Sequence, residues 1–530
     1  MSLVLPLDSQ EPAVLPRLLR RLPQAQTQVL LAFNALLERR HKLDGPSFQA
    51  QLTALVQSGF RDQQDLRDWL RANSPRSEIH CAKAFSEAKR QAELWLEEGR
   101  WVASLLGRLP PNERAVPCPR VLFGKGKFDV TRKWAALFNS RKPKLVSPHA
   151  EWLQTLRTLL EFLPFQGLGL ASSLGTITYD LVSVEAERKG ARLLLLVPRL
   201  LEAVGRIRDD SSVVLGSAPD MTLSCLTGAA DCPKATRMVC RDRLLALISD
   251  LHCPLEVRPG GNLWHILERQ PEKSARLRLH LKPEEADSLT VTNWDTASSL
   301  LKRRPGIAQR NPASARKASA ESSTLRHVHQ PLNVDAISWG DYLYHYTRSC
   351  PGPWPGQSYR SYLESLLDGD PCAEHTALAT LGRILVEGRI RAGSNIVRGN
   401  QGVVSWTSRP PQELYAIRHW NAALIRWTFE PYGLAVKRSV LRQMGASPVI
   451  YAGSAVYGKL SRQNRFRFQL HEPPRRSWKH EREWRLPKDV ELSGLAPDDA
   501  FAFLPTLGEA RQLAEGAAAV LPLVALRWEP

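Results

Sequence analysis

Between residues 116 and 270, short apolar runs alternate with amphipathic stretches, and this alternation restricts the fold more than any other feature of the chain. The run Leu193–Val197 is wholly apolar, as a strand covered on both faces must be. Trp134–Phe138 and Gly167–Ala171 read as further strands, with Val213–Leu215 and Leu255–Val257 as two more. Helices are expected between them. One runs near Glu151–Phe162, with Trp152, Leu153, Leu156, Leu159 and Leu160 on a single stripe, and others cover Ile177–Lys189 and Arg241–Asp250. Strands that alternate with helices predict a doubly wound parallel sheet.

The flanking regions differ. Residues 1–115 read as helical, with Leu15, Leu18, Leu19 and Leu22, then Val29, Leu30, Phe33, Leu36 and Leu37, at helical spacing. The pattern continues through Ala82–Leu106, which carries Trp95, Leu96, Trp101 and Val102. Residues 271–335 form a basic linker zone, and Arg303–Ser323 holds almost no large apolar side chain to offset the entropy of ordering. Globular composition and many aromatics return over 336–530. Helices are expected there near Tyr359–Leu367, Thr376–Glu387 and Pro411–Trp420. Strands are expected at Val403–Thr407, Ile425–Glu430, Val449–Tyr451, Phe466–Leu470, Glu481–Arg485, Ala500–Leu504 and Val520–Leu526. The chain is thus multidomain, α/β in the middle and mainly antiparallel α+β at the end, as 530 residues allow.

Lys plus Arg is 72 against 53 Asp plus Glu, a net +19 that suits an anionic partner, nucleic acid or nucleotide. Only 18 of these cations are Lys, so an Arg-rich genome would tilt the balance the same way. No apolar run spans a bilayer and no secretory signal is visible, so a cytoplasmic protein without a membrane partner is expected. Its eight cysteines form no CxxC, and the spacing of Cys225, Cys232, Cys240 and Cys253 matches no common zinc pattern, so no metal is expected.

Three loops fall where such a sheet binds ligands: Asn139-Ser140-Arg141, Ser172-Ser173-Leu174-Gly175-Thr176, and Arg258-Pro259-Gly260-Gly261-Asn262. Small residues let backbone approach a phosphate, and helix N-termini supply oriented N–H donors. The same residues also serve as ordinary turns and caps. This region resembles the Rossmann-like domain of DprA/SMF-type DNA-processing proteins and, more distantly, LOG-type nucleotide hydrolases. The family's Gly-Ser-Arg turn is matched by Asn139-Ser140-Arg141 and its Ser-Gly-rich loop by Gly169–Ile177. Its Arg-Asn-Arg is matched by Arg241-Asp242-Arg243. The resemblance implies a nucleotide- or nucleic-acid-binding site at Ser140, Arg141, Ser173, Gly175, Thr176, Arg241, Arg243, Gly260 and Gly261.

The last domain opens on Leu343-Tyr344-His345-Tyr346-Thr347 and later carries Trp478-Lys479-His480-Glu481-Arg482-Glu483-Trp484-Arg485. At period two, Glu481, Glu483 and Arg485 share a strand face, with the Arg offsetting two carboxylates. An exposed Glu/Arg ladder is the structural alternative. The pattern is similar to AbiGi-like abortive-infection domains and, in its order, to ADP-ribosyltransferases. That resemblance implies NAD as cofactor, Glu483 as catalytic carboxylate, Glu481 orienting an acceptor and His345 on the nicotinamide ribose. It further implies that Tyr346 or Trp406 stacks on nicotinamide, that Ser405 and Thr407 support the ribose pocket, and that Arg485 lines the site. A carboxylate there would stabilise the positive charge that develops as the nicotinamide–ribose bond breaks. The whole chain then reads as a bacterial anti-phage defence-type protein: a sensing Rossmann-like domain, an ADP-ribosyltransferase-like effector, and protein partners from a defence operon. The alternative is a non-enzymatic nucleic-acid-binding or scaffold subunit. The enzyme reading requires His345, Ser405 and Glu483 around one cleft.

Overall fold

A computed structural model describes residues 13, 16, 18–38, 64–65, 68, 72, 82–105, 121–129, 131–140, 145–197, 215–224, 234–268, 277–280, 290–292, 337–394, 397–416, 418, 420–421, 426–473, 479–516 and 521–526. The chain divides into two compact units, Met1–Pro312 with Pro353–Ala373, and Ala313–Gly352 with Glu374–Pro530.

The first unit is built on a ten-stranded sheet. Its strands are β1 (Leu19–Arg21), β2 (Arg100–Leu105), β3 (Val121–Gly126), β4 (Trp134–Phe138), β5 (Gly169–Ser173), β6 (Leu193–Val197), β7 (Met221–Ser224), β8 (Leu251–Pro254), β9 (Leu277–His280) and β10 (Thr290–Thr292). They lie in the order β1-β2-β3-β7-β6-β5-β4-β8-β9-β10. The run from β7 through β4 to β9 is parallel. Strands β1 to β3 and β10 add antiparallel edges. The helices are α1 (Gln24–Glu38), α2 (Ala82–Glu97), α3 (Glu151–Phe165), α4 (Ile177–Arg188), α5 (Lys234–Ile248), α6 (Asn262–Glu268) and α7 (Tyr359–Asp368).

Alternate strand residues feed two cores, the doubly wound arrangement that the apolar alternation predicts. Ala135, Leu137, Leu170 and Leu193 pack beneath α3, α4 and α7. Trp134, Ala136, Phe138 and Leu194 pack on the other face beneath α5 and α6. All five residues of β6 are buried, as a strand between two helix layers requires.

Several sequence expectations shift. The N-terminal region is not wholly helical: helix α2 stops at Glu97, and Trp101 and Val102 lie in β2, where they extend the sheet. The strand expected at Val213–Leu215 is replaced by β7. Leu215 lies outside any strand, and residues 201–214 fall outside the described residues. The strand expected at Leu255–Val257 forms earlier, as β8. Strands β9 and β10 lie within the span read as linker, while the basic stretch Arg303–Ser323 falls outside the described residues.

The helix expected near Tyr359–Leu367 does form, but as part of the first unit. Its buried stripe, Tyr362, Leu363, Leu366 and Leu367, completes the core of α3 and α4. Arg157 of α3 donates to the Leu366 carbonyl. Arg360 pairs with Glu187 at 2.7 Å, and Asp368 with Arg188 at 2.7 Å.

The second unit comprises β11 (Tyr342–Tyr346), α8 (Ala377–Glu387), β12 (Arg389–Ile390), β13 (Val404–Thr407), β14 (Trp420–Asn421), β15 (Arg426–Trp427), β16 (Gly433–Lys437), β17 (Ser447–Pro448), β18 (Ile450–Ala452), β19 (Phe468–Leu470), β20 (Glu483–Leu486), β21 (Val490–Glu491), β22 (Ala500–Leu504) and β23 (Leu523–Ala525), with short helices between them. Seven of the strands make a sheet in the order β17-β20-β13-β11-β16-β22-β23, antiparallel except for the last pair. Thr376 caps α8 through its hydroxyl, and Gly388 ends it in the left-handed region. Within this unit the Cys350 backbone N–H donates to the His375 carbonyl at 2.8 Å. His375 Nδ1 in turn bonds the Gly352 carbonyl at 2.6 Å, tying together the two points where the chain leaves and returns.

Candidate functional site

In the first unit the strand order reverses between β4 and β8, and ligands of open α/β sheets bind beyond the carboxyl ends at such a reversal. The loops leaving these two strands are joined through Ser140. Its N–H donates to the Glu256 carbonyl at 3.0 Å, and its Oγ accepts the Arg258 N–H at 2.7 Å. Ser140 is therefore a brace between loops. Gly260, at φ +70°, makes the tight turn that leads with Gly261 into α6. Beside Ser140, the Asn139 side chain has both its amide oxygen and its amide nitrogen sealed from solvent with no hydrogen-bond partner. Leaving such a group unsatisfied costs about 1–3 kcal/mol. Arg141 falls outside the described residues.

The middle loop is closed by the protein's own groups. Gly175, at φ +91°, donates its N–H to Asp180 Oδ1 at 3.0 Å, while Thr176 caps α4. Asp180 is 3% exposed, and its second oxygen accepts the Tyr359 hydroxyl at 3.1 Å. An internal carboxylate thus holds the place that the sequence reading reserved for an external anion at Gly175. Arg241 is corrected in the same way. It is 2% exposed, pairs with Asp242 at 2.8 Å, donates to the Leu174 carbonyl at 3.1 Å and lies over the Tyr179 ring. It braces the loop from beneath and is not open to phosphate. Asp242 also accepts the Tyr179 hydroxyl at 3.0 Å, so its charge is engaged inside the fold. Ser173 ends β5 fully buried, its hydroxyl without a partner. Arg243 is half-buried on α5. Sequence reasoning missed Asp180 and Tyr359, because a cap partner on α4 and a helix distant in the chain meet only after folding.

In the second unit, register decides which predicted residues meet. Ser405 lies opposite Arg485, Thr407 opposite Glu483, and Tyr344 opposite Thr407. Directly opposed residues of antiparallel strands share a face. Tyr346, Ser405, Thr407, Glu483 and Arg485 are therefore on one face, and His345 and Trp406 are on the other. The expected grouping of His345 with Glu483 around one cleft is corrected by this register. The His345 ring packs against Trp406 at 5.6 Å, its Nδ1 bonds the Ser405 carbonyl at 2.9 Å, and burial lowers its pKa. Trp406 is 2% exposed among Leu343, Val404 and Leu434 and has no face to offer nicotinamide.

Arg485 is also corrected. A guanidinium has five N–H donors. Here Nε and Nη2 bond the Glu483 carboxylate at 2.8 and 3.2 Å, and Nη1 bonds the Phe466 and Phe468 carbonyls at 3.1 and 2.8 Å. Nη2 also bonds Gln469 Oε1 at 2.6 Å. All five donors are used and the side chain is 2% exposed, so it anchors β20 to β19 and cannot hold a cofactor. Glu483 additionally accepts the Ser405 hydroxyl at 2.9 Å, and its N–H donates to the Tyr451 hydroxyl at 3.0 Å.

Glu481 is not on the strand. It sits in the turn Lys479–Glu481, joined to β20 by Arg482 at φ +46°. Burial, then the charge of Glu483, push its carboxyl up to about 7, while Arg348 and Arg485 pull the other way. Thr407 donates to the Glu481 carbonyl at 2.5 Å, and the Tyr346 hydroxyl is buried without a partner beside Phe429 and Phe503. Trp478 falls outside the described residues. The arrangement is a carboxylate bonded to Arg485 beside a second carboxyl that burial and the neighbouring charge push up to about 7. Gln469 and Tyr451 had no signal in the sequence beyond strand propensity.

No family model matches the chain, and no curated protein matches it. Among solved structures it is similar to the X-ray structure of DNA processing protein A from Streptococcus pneumoniae. The identity is 14% and the TM-score 0.27, over 47% of this chain and 83% of that one. It is also similar to DNA processing protein A from Helicobacter pylori, in a structure described for its single-stranded DNA binding mode. There the identity is 15% and the TM-score 0.22, over 32% of this chain and 82% of that one.

Proposed function

We infer that the first unit binds a phosphate-bearing ligand, a nucleotide or a nucleic acid, in the crevice beyond the carboxyl ends of β4 and β8. The observation that carries this reading is Asn139: a sealed amide with neither donor nor acceptor used, at the point where the strand order reverses. A base edge that both donates and accepts would satisfy both atoms, and a phosphate would accept from the amide nitrogen. The non-enzymatic binding subunit is favoured over the effector enzyme, because the register separates His345 from Glu483. A place in anti-phage defence, with protein partners, rests on the sequence resemblance alone. NAD-dependent ADP-ribosyl transfer in the second unit is the second reading, supported by the Ser405–Glu483 bond on a shared face.

Asn139→Asp tests the first reading, since it keeps the side-chain shape and places a negative charge where the anion would sit. Calorimetric titration with AMP, ATP and a short oligothymidylate is expected to show at least tenfold weaker binding of whichever ligand the wild type takes, about 1.4 kcal/mol. A folded variant that binds all three as the wild type does would sink the reading. For the second reading, full-length protein incubated with labelled NAD and cell lysate should release nicotinamide or label an acceptor. No turnover removes it.

A further inference from the structure

Several cations of the second unit sit against carboxylates. Arg383 and Arg391 share Glu387, Arg389 meets Asp489 and Glu491, Arg409 meets Glu413, and Lys437 meets Asp499. One surface instead gathers cations along a single segment. The fourteen-residue segment Ser454–Arg467 carries Lys459, Arg462, Arg465 and Arg467 and no Asp or Glu. None of these four, nor Arg398 beside them, has a carboxylate partner among the described residues.

The group is arranged rather than scattered. The Arg398 guanidinium lies over the Tyr457 ring at 4.3 Å, and that of Arg465 lies over the same ring at 5.4 Å. Tyr457 packs edge-on to Phe468 at 5.3 Å. Arg398 Nη1 donates to Ser454 Oγ at 3.0 Å and Arg465 Nε to the Leu460 carbonyl at 3.4 Å. Arg467 donates to the Pro448 carbonyl at 3.0 Å and to Asn464 Oδ1 at 3.2 Å. Arg398, Arg465 and Arg467 are thus each oriented through one or two donors of five. Lys459 and Arg462 are exposed. The base of the patch is rigid, because the buried Arg485 grips the carbonyls of Phe466 and Phe468.

Stacking on an aromatic ring is worth about 0.5–1 kcal/mol per cation at an exposed site, and it neutralises nothing. The cations therefore repel one another across the patch unless an anion joins them. They are spread along a segment and a neighbouring loop instead of converging on one point, which suits a chain of phosphates better than a single phosphate. We propose that the surface formed by Arg398, Lys459, Arg462, Arg465 and Arg467 binds the phosphodiester backbone of a nucleic acid. This surface belongs to the second unit, and the proposal does not depend on the reading of Asn139 in the first.

The test uses the full-length protein and a labelled oligothymidylate, with a duplex of equal length as a second probe, followed by fluorescence anisotropy over a range of salt concentrations. Lys459→Gln combined with Arg462→Gln removes two exposed charges that hold nothing else in place. Affinity at low salt should fall about tenfold. The slope of log affinity against log salt should shrink by about 1.4 for the single strand, or about 1.8 if the duplex is the preferred source of backbone. Arg391→Gln, which removes a cation already paired with Glu387, should change neither quantity. If the double variant keeps the wild-type affinity and slope with both probes, the proposal is overturned. If only Asn139→Asp weakens nucleic-acid binding, the crevice carries all of it and this surface none. If only the double variant does, this surface stands and the crevice takes no nucleic acid, which leaves a nucleotide as its ligand.

Discussion

Glu481 and Glu483 show how two similar side chains acquire different properties from position alone. Glu483 is neutralised by a buried arginine, and Glu481, in the turn before it, has none bonded to it. A carboxyl held up to about 7 against an unfolded value of 4.5 favours the protonated folded state. Its contribution is thus most favourable below the unfolded value, declines as pH rises from about 4.5, and is a full penalty above about 7. Glu481→Gln should flatten that part of the pH–stability curve and raise the thermal midpoint at pH 8, as read by melting curves across pH. A variant curve parallel to the wild type would refute the assignment. The sequence pattern Glu-x-Glu-x-Arg correctly suggested that Arg485 offsets Glu483, but it wrongly put Glu481 on the same strand face. It could not show that Arg485 is consumed by Phe466, Phe468 and Gln469, because those partners come from another strand.

At the scale of elements, apolar periodicity located most helices and strands within a few residues, since burial of alternate or every third to fourth side chain is a local pattern. The wholly apolar β6 and the stripe on α3 are the clearest cases. Errors fell where local pattern and sheet membership part company. Trp101 and Val102 satisfy a helical spacing but are recruited as β2 by pairing with β3. Helix α7 was legible as a helix and misassigned to its sequence neighbours, because its apolar stripe does not declare which core it enters. Leu363→Ala should cost about 2–5 kcal/mol in denaturant unfolding of the first unit, as a fully buried leucine does. A cost near zero would show that α7 does not complete that core.

At the scale of the whole molecule, the chain makes two compact units and returns to the first after beginning the second. Among the described residues no helix is long and apolar enough to cross a membrane. The net charge of +19 was legible at once, but not its placement. Some cations are paired with carboxylates within the fold, and five without a carboxylate partner among the described residues gather along Ser454–Arg467 and at Arg398. Composition and periodicity alone determined the fold classes, the reversal-prone parallel sheet and the loops at its carboxyl edge, because each depends on residues close in sequence. Tertiary structure alone decided that Asp180 closes the Gly175 loop, that His345 and Glu483 face opposite ways, and that Asn139 is left unsatisfied. Those outcomes depend on strand register and on partners from distant segments. A shift of one residue in register exchanges the two faces of a strand, and nothing in the local pattern records it.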